Sequence, residues 1–430
     1  MEILNRKKIT NQEIESGEEA LHQAYSIRKV DKTLNLLVGV DGGSTQTRCY
    51  VVDDPNSEEY TLHDIPSVAS FVDSDIEIQP KGDNLYQQLD STIIKQSTSK
   101  EAIFDKVRVV RGTKMLDYNK TEQRISSINQ KIETPLFYIN IVDAIGYAIC
   151  QKYNGELPSY VKVAAGVALP PDDRNSSINT EKFFTQLIGK YTWEHKESGV
   201  QILIEIVGAK VLTEPEAFIN GYHIREGEEF PGVELHVNMG GRSTGVELLI
   251  DGVLIDSASK TLPYGGTQLA ENLGELLAKT RGGRAPQARA LKKALETGFL
   301  KSGRSEIDIT SEITAVKKEM AVRLKEDIKR VVFDMQPNYA PTDVEVFSVS
   351  GRTFEGGDYN VSIATFLQEE FFKLSEFTEF QLCEGNYIPY GLVCEVFEDF
   401  GGILYENPGV EDLDEEEELE DTVAVDSIEE

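Results

Sequence analysis

LLVGVDGGSTQTRCYVVD, residues 36–53, is the stretch whose reading decides the fold. Leu36 to Val40 is a short apolar run, the pattern of a strand buried on both faces. Asp41-Gly42-Gly43-Ser44-Thr45 then makes a tight turn, and Arg48 to Val52 resumes as a second strand. Two glycines open backbone angles closed to other residues, so successive amides can converge on an anion beside the Ser44 and Thr45 hydroxyls. Asp41, at the mouth of the first strand, is placed to hold the water shell of Mg2+, an ion that takes few carboxylates and many waters. Arg48 can reach back as a charge-assisted phosphate donor. A plain glycine hairpin with an Asp for turn chemistry is the structural alternative.

A second copy of the pattern separates these readings. Residues 234–256, ELHVNMGGRSTGVELLIDGVLID, again run apolar strand, two glycines, hydroxyls, strand. Asn238 takes the place of Asp41, Gly240-Gly241 follow, and Arg242-Ser243-Thr244 close the turn. An Asp251-Gly252 hairpin then leads into a third strand. Two such hairpins facing each other would clamp a polyphosphate between two similar lobes. Chance recurrence of the whole pattern is far rarer than one lone match.

Composition narrows the setting. A chain of 430 residues is long for one core, and two domains are expected. No apolar run reaches membrane-spanning length, so no membrane partner is expected. The opening MEILNRKKITNQEIE has no signal-peptide core. Cys49, Cys150, Cys383 and Cys394 are scattered without metal-ligand or disulfide spacing. A reducing cytoplasm fits all three observations. The net charge of −31 opposes direct contact with bare nucleic acid or anionic lipid. Residues 411–430 carry about a dozen acids and no base, the signature of a disordered tail. Solvation accounts for such a tail, and docking to a basic partner is the sharper reading.

Residues 1–33 are polar and read as an extension with one helix from Glu18. Residues 54–130 are irregular and read as an inserted, exposed subdomain with strand-like pieces such as Lys106 to Val110. Pro135 to Lys152 has apolar residues at helical spacing. Val161 to Leu169 reads as a buried strand, Lys182 to Lys190 as a helix and Gln201 to Val207 as a strand. Next, Thr213 or Glu214 can cap a helix with Pro215 at its first position. A carboxylate there, Glu214 or Glu216, could orient a water for attack on a γ-phosphate; capping alone is the structural alternative. Gly266 and Thr267 precede a further helix, Gln268 to Ala278, and are weaker anion-binding candidates. Residues 279–304 are basic in an otherwise acidic chain, either a solvated face or a contact for the base, a neighbouring subunit or the tail. Ile313 to Phe333 reads as a long amphipathic helix. Val344 to Val349 reads as a strand, and Ser350-Gly351-Arg352-Thr353 as a turn that can admit a flat ring. Tyr387 to Phe397 reads as an apolar helix.

In this order the elements resemble the actin-like ATPases, and among them the ParM-type (StbA-like) plasmid segregation proteins, from about Leu34 to Glu398. Asp41 to Arg48 is similar to the family's first phosphate loop, with Arg48 where a Lys is frequent. Val163 to Pro170 resembles the strand ending in a Gly-Leu-Pro-type motif. Pro215-Glu216-Ala217 resembles the segment carrying the water-orienting acid, which favours Glu216; alignment to the heat-shock chaperone branch favours Glu214. Asn238 to Thr244 resembles the second phosphate loop and Ser348 to Thr353 the adenosine loop. Two positions depart from the pattern: Asn238 stands where Asp is usual, and Arg352 where a second glycine is common.

The resemblance implies an α/β protein of two similar lobes, each of duplicated βββαβα type, closing on Mg-ATP or Mg-GTP. It places domain I at 34–222, domain II at 223–355 and a return to domain I at 356–405. It implies slow hydrolysis, homopolymeric filaments and plasmid DNA reached indirectly through a ParR-like DNA-binding adaptor. The alternatives are a small-molecule kinase or activator ATPase of the same fold, and a structural filament protein with little hydrolysis.

Overall fold

The computed structural model describes residues 28–43, 46–54, 59–72, 89–96, 105–112, 131–153, 156–196, 198–302, 305–334, 339–354, 362–372 and 379–405. Ser44, Thr45, the helix expected from Glu18 and the acidic tail lie outside them. The first half comprises β1 (Arg28–Gly42), β2 (Gln46–Val52), β3 (Leu62–Pro66), β4 (Ala69–Val72), β5 (Asp90–Gln96) and β6 (Lys106–Arg111). It continues with α1 (Pro135–Lys152), β7 (Glu156–Leu169), α2 (Pro171–Arg174), α3 (Ser177–Leu187), β8 (Gly189–His195), β9 (Val200–Thr213) and α4 (Glu214–Glu226). The second half opens with β10 (Val233–Met239), β11 (Thr244–Ile250), β12 (Val253–Leu254), β13 (Lys260–Leu262), α5 (Gly266–Arg281) and α6 (Ala288–Thr297). Then come β14 (Phe299–Ser302), β15 (Ser305–Asp308), α7 (Thr310–Ile328), β16 (Val346–Ser350), α8 (Ile363–Phe372), β17 (Glu379–Cys383) and α9 (Ile388–Tyr405).

Two sheets repeat one plan. The first runs β3-β2-β1-β7-β9-β8-β5-β6-β4 and the second β12-β11-β10-β16-β17, with β13 also on β11. In each, the opening strand pairs antiparallel with the next and parallel with the strand that follows the helical connection. The strands at the centre are buried because both faces are covered; Leu36, Val38, Val163 and Val167 belong to one core and Leu235, Val237, Phe347 and Val349 to the other. The Asp251-Gly252 turn has both residues at positive φ, 49° and 77°, as a two-residue hairpin with right-handed strand twist requires.

Residues 54–130 differ from the expected exposed subdomain. Their described parts extend the first sheet through β8: β5 pairs β8, β6 pairs β5, and β4 pairs β6. The strand-like piece Lys106 to Val110 is β6, and the charged side chains of β5 and β6 are paired inside. Arg108 makes a fork on Asp90 at 2.9 and 2.8 Å. Arg111 donates to Asp143 at 2.7 Å with both side chains fully buried, and Ser91 and Trp193 donate to the same carboxylate at 2.6 and 2.8 Å. Removing one partner of such a pair strands the other charge. Asp143→Ala should therefore cost about 3–5 kcal/mol in urea unfolding; a loss below about 1 kcal/mol would mean that water reaches Arg111.

Other boundaries also move. β1 starts at Arg28, within the expected extension, and β9 runs unbroken to Thr213. The helix expected to Phe333 ends at Ile328 and continues as a π-helical turn, Lys329–Asp334. The return to the first lobe comes later than residue 356, because α8 packs on α7 and β17 joins the second sheet. It begins at α9.

α4 and α9 exchange lobes. α4 follows the first sheet yet packs on β10 and β11, while α9 follows the second sheet yet lies on β1 and β7. The two helices cross at Gly221 and Gly391, where a Cβ on Gly391 would stand 2.1 Å from the Ala217 carbonyl oxygen. The lobes are joined through this crossing.

Candidate functional site

Asp41 is buried near the end of β1, directly across the hairpin from Arg48. Arg48 Nη1 donates to Asp41 Oδ2 at 3.1 Å, and its Nε lies 3.8 Å from Asp64. The guanidinium thus sits on carboxylates. Burial pushes the Asp41 carboxyl above its ordinary range, Arg48 opposes this, and Glu214 adds to it. Gly42 and Gly43 hold no positive φ, contrary to the expected role of unusual backbone angles. Gly42 is instead needed for space, since a Cβ there would stand 2.4 Å from the Phe137 ring. The Gly43 carbonyl accepts from Ser67 at 2.6 Å, which fixes the turn.

Lys131 is the residue that sequence reasoning missed. It lies in a short 3-10 turn just before α1, buried, and its Nζ donates to the Gly42 carbonyl at 3.2 Å and to Glu214. Its own amide donates to buried Asp173 at 3.1 Å, which places the turn. Burial would lower the lysine's pKa, but Glu214 and Asp41 hold it above its ordinary value. No spacing or repeat in the sequence flags Lys131, because its partners arrive from 42, 173 and 214.

The start of α4 separates the two candidate acids. Glu216 completes a capping box with Thr213: its amide donates to Thr213 Oγ1 at 3.1 Å and its carboxylate accepts from the Thr213 amide at 3.2 Å. That is the alternative role, and here it occupies the residue ranked first by alignment. Glu214 instead meets Lys131 and bears electrostatically on Asp41. Its neighbour Pro215 packs on Gly245 of the second hairpin, 2.4 Å from where a Cβ would lie. Glu214-Pro215 therefore bridges the two glycine turns.

The second turn is knitted to two others. Gly240 donates to the Ser243 carbonyl at 2.9 Å, while the Gly240 carbonyl accepts from the Gly266 amide at 3.3 Å and from Thr353 Oγ1 at 3.1 Å. The Thr267 amide donates to the Gly241 carbonyl at 2.8 Å. Gly266 and Thr267 thus spend their amides on the loop, which removes the basis for expecting an anion on them. Thr244 is buried, with its hydroxyl donated to the Tyr264 carbonyl at 3.0 Å. Arg242 and Ser243 are half-buried at the turn. Asn238 is buried and donates to Ser350 Oγ at 2.7 Å. Gly351 has φ 104° and lies against Met239, so 350–353 folds onto the second turn. Arg352 is exposed and acts on Asp64 of the first lobe, across the opening.

A second interlobe contact lies beneath. Asp172 accepts from Lys260 at 3.0 Å, Arg174 meets Asp256 at 2.7 Å, and the Asp172 amide donates to Thr261 at 3.2 Å. Glu247 of β11 accepts from Ser259 at 2.9 Å and is pushed from an ordinary 4.5 up to about 8, by burial first and then by the charge of Glu216. Below pH 4.5 this group is neutral whether the chain is folded or not. As pH rises towards 8 the unfolded chain sheds the proton that the folded chain keeps, so the fold loses stability across that window. Glu247→Gln should remove this slope and be the more stable protein at pH 8, by a few kcal/mol. Urea midpoints at pH 5 and pH 8 measure it, and parallel pH dependences in both proteins would refute it.

Mg2+ needs only one or two carboxylates beside phosphates and water. Among the described residues no group of three or more His, Cys, Asp and Glu side chains is arranged to hold a metal ion. Asp41, with Glu214 nearby, is a donor set of the size this ion takes. All four cysteines are free and buried. Among the described residues no helix is long and apolar enough to cross a membrane.

No protein-family model and no curated protein matches the sequence. Solved structures do. An archaeal actin homolog, Ta0583, superposes with a TM-score of 0.61 at 14% identity, covering 85% of this chain and 99% of the other. Bacillus thuringiensis ParM, solved with ATP, gives 0.55 at 15% identity over 86% of this chain and all of the other (100%). A non-polymerisable quadruple mutant of pCBH ParM gives 0.57 at 12% identity over 86% and 99%. At such identities the likeness speaks for architecture. Together with the repeated sheets and the exchanged helices, it shows that this chain has the actin-like fold of the ParM proteins and the archaeal actin homologues.

Proposed function

We propose that this chain is a nucleoside-triphosphate-hydrolysing, polymerising actin-like protein. The observation that carries the reading is the Glu214-Pro215 bridge, with Asp41 and Lys131 on one side and the second glycine turn on the other. ATP, or GTP, would lie with its phosphates between the backbones of 41–45 and 240–244 and its base against 350–352. Asp41 would hold Mg2+ through water, and the bound ion would offset phosphate charge. Lys131 supplies a cation at the γ-phosphate end, and Glu214 orients the attacking water and takes its proton. Arg48 keeps Asp41 in place. With Asn238 instead of a carboxylate, hydrolysis is slow.

Filament formation, segregation of plasmid DNA through a ParR-like adaptor and a cytoplasmic setting belong to the same proposal. They are supported by likeness to ParM structures and by a net charge that disfavours direct DNA contact. The lobes are proposed as 28–213 with 388–405, and 214–383.

Calorimetric titration of the full chain with ATP and GTP, with and without Mg2+, tests the site. Wild type should bind in the micromolar range, on the order of −8 kcal/mol, and Asp41→Ala should lose Mg2+-dependent binding. Unchanged binding in that variant would remove Asp41 from the metal role. Light scattering and pelleting with Mg-ATP, alongside phosphate release, test the rest: sugar-dependent ADP production without a pellet would favour the kinase alternative.

A further inference from the structure

A row of polar side chains crosses the second core. β10 and β16 pair in parallel with His236 opposite Ser348 and Asn238 opposite Ser350. Because strand side chains alternate, residues 234, 236 and 238 share one face with 348 and 350. α4 covers that face, with Phe218 stacked on His236 at 5.5 Å and His223 reaching in. Asn238 Nδ2 donates to Ser350 Oγ at 2.7 Å, and Ser350 Oγ lies 3.0 Å from His236 Nε2. His236 Nδ1 lies 2.7 Å from Ser348 Oγ, and Ser348 meets Glu234 Oε1. Glu234 Oε2 accepts from His223 Nε2 at 3.0 Å. All six residues are buried.

The ends of this row fix the direction of every hydrogen in it. A carboxylate offers only lone pairs, so Ser348 must donate to Glu234. Its own lone pair then accepts from His236 Nδ1–H. That leaves His236 Nε2 bare, to accept from Ser350, and leaves Ser350 to accept from the Asn238 amide. From Asn238 to Glu234 every hydrogen points away from the second glycine turn, and His223 of α4 donates to the Glu234 carboxylate from the other side. The imidazole is neutral in this arrangement, as burial, which pulls His236 down to about 4, also requires. Turning the Asn238 amide over would place two lone pairs face to face somewhere along the row.

We propose that Glu234 and His236 are positioning residues for the second glycine turn: through Ser348 and Ser350 they lock the Asn238 amide with Nδ2 inward. Oδ1, an acceptor only, is then the atom that meets the ligand, so position 238 selects a hydrogen-bond donor such as a water between phosphates. The same row explains why Asn rather than Asp stands here. Asp at 238 would put acceptors at both ends, and His236 would have to bind a second proton to serve them. The role rests on the reading of 238–244 as a phosphate turn; the direction of the bonds does not.

Histidine-selective 15N labelling separates the two, because ring nitrogen shifts report which nitrogen bears hydrogen. In wild type, His236 should be neutral with its hydrogen on Nδ1 at pH 7. In N238D it should be an imidazolium at pH 7. In the isosteric double variant N238D/E234Q, the new side-chain amide at position 234 can donate to Ser348, the row reverses, and His236 should be neutral with its hydrogen on Nε2. A wild-type ring protonated on Nε2, or a neutral ring in N238D, overturns the proposal. Titration with Mg-ATP then tests the role: E234Q, remote from the ligand, should weaken binding about fivefold, the cost of one lost hydrogen-bond preference. Unchanged affinity would overturn the positioning role, whereas the expected ring states in a protein that binds no nucleotide would overturn only the reading of the turn.

Discussion

Glu214→Gln should slow phosphate release from bound ATP by about a hundredfold or more, the usual loss when a general base is removed. Nucleotide affinity should change little, since glutamine keeps the shape of the side chain and Lys131 retains the Gly42 carbonyl, Asp41 and Asp173 around it. Glu216→Gln is the informative partner. Its side chain serves the Thr213 cap, a role that glutamine also fills, so the variant should keep its stability with release rates nearly unchanged. Single-turnover phosphate release with pre-bound ATP distinguishes them. A large loss in Glu216→Gln together with a small one in Glu214→Gln would exchange their roles and restore the order given by sequence alignment.

Gly391→Ala should be strongly damaging for a single added methyl. Its Cβ would lie 2.1 Å from the Ala217 carbonyl oxygen and 2.8 Å from the Gly221 nitrogen, both backbone atoms that no rotamer change can move. Either α4 or α9 must shift, and overpacking of this kind costs about 3 kcal/mol or more. The lobes should also lose their fixed relation, so nucleotide binding should fail before the two cores unfold. Gly401→Ala is the control on the same helix, because its Cβ would meet only the ring of Phe397, which can turn. Urea unfolding of both variants, monitored with nucleotide titration, checks this; equal stability would show that the helix crossing is looser than its geometry.

The sequence carried the repeated plan because that plan is local. A strand, a glycine turn and a strand are written in consecutive residues, and period and glycine spacing report them at both 36–53 and 234–256. The same holds for the Asp251-Gly252 hairpin and the start of α4 at Thr213-Glu214-Pro215. Where strands carried charges the reading was partial: Lys106 to Val110 was legible as strand-like, but β5 was not, and the pairing of both into the first sheet was not legible. Their neutralising partners lie 18 and 32 residues away along the chain, a distance at which no pattern is visible.

What the residues determined unaided is the two-lobed α/β architecture and the pair of turns, since each depends on neighbours in the chain. Only the folded molecule decided the rest: that Lys131 meets Gly42 and Glu214, that Glu216 caps its helix, that Gly266 spends its amide on a loop, and that Asn238 is joined to Glu234 through Ser350, His236 and Ser348. Each of those outcomes depends on which buried donor meets which acceptor. In a core without water that matching is settled by packing between distant segments, and linear order does not encode it.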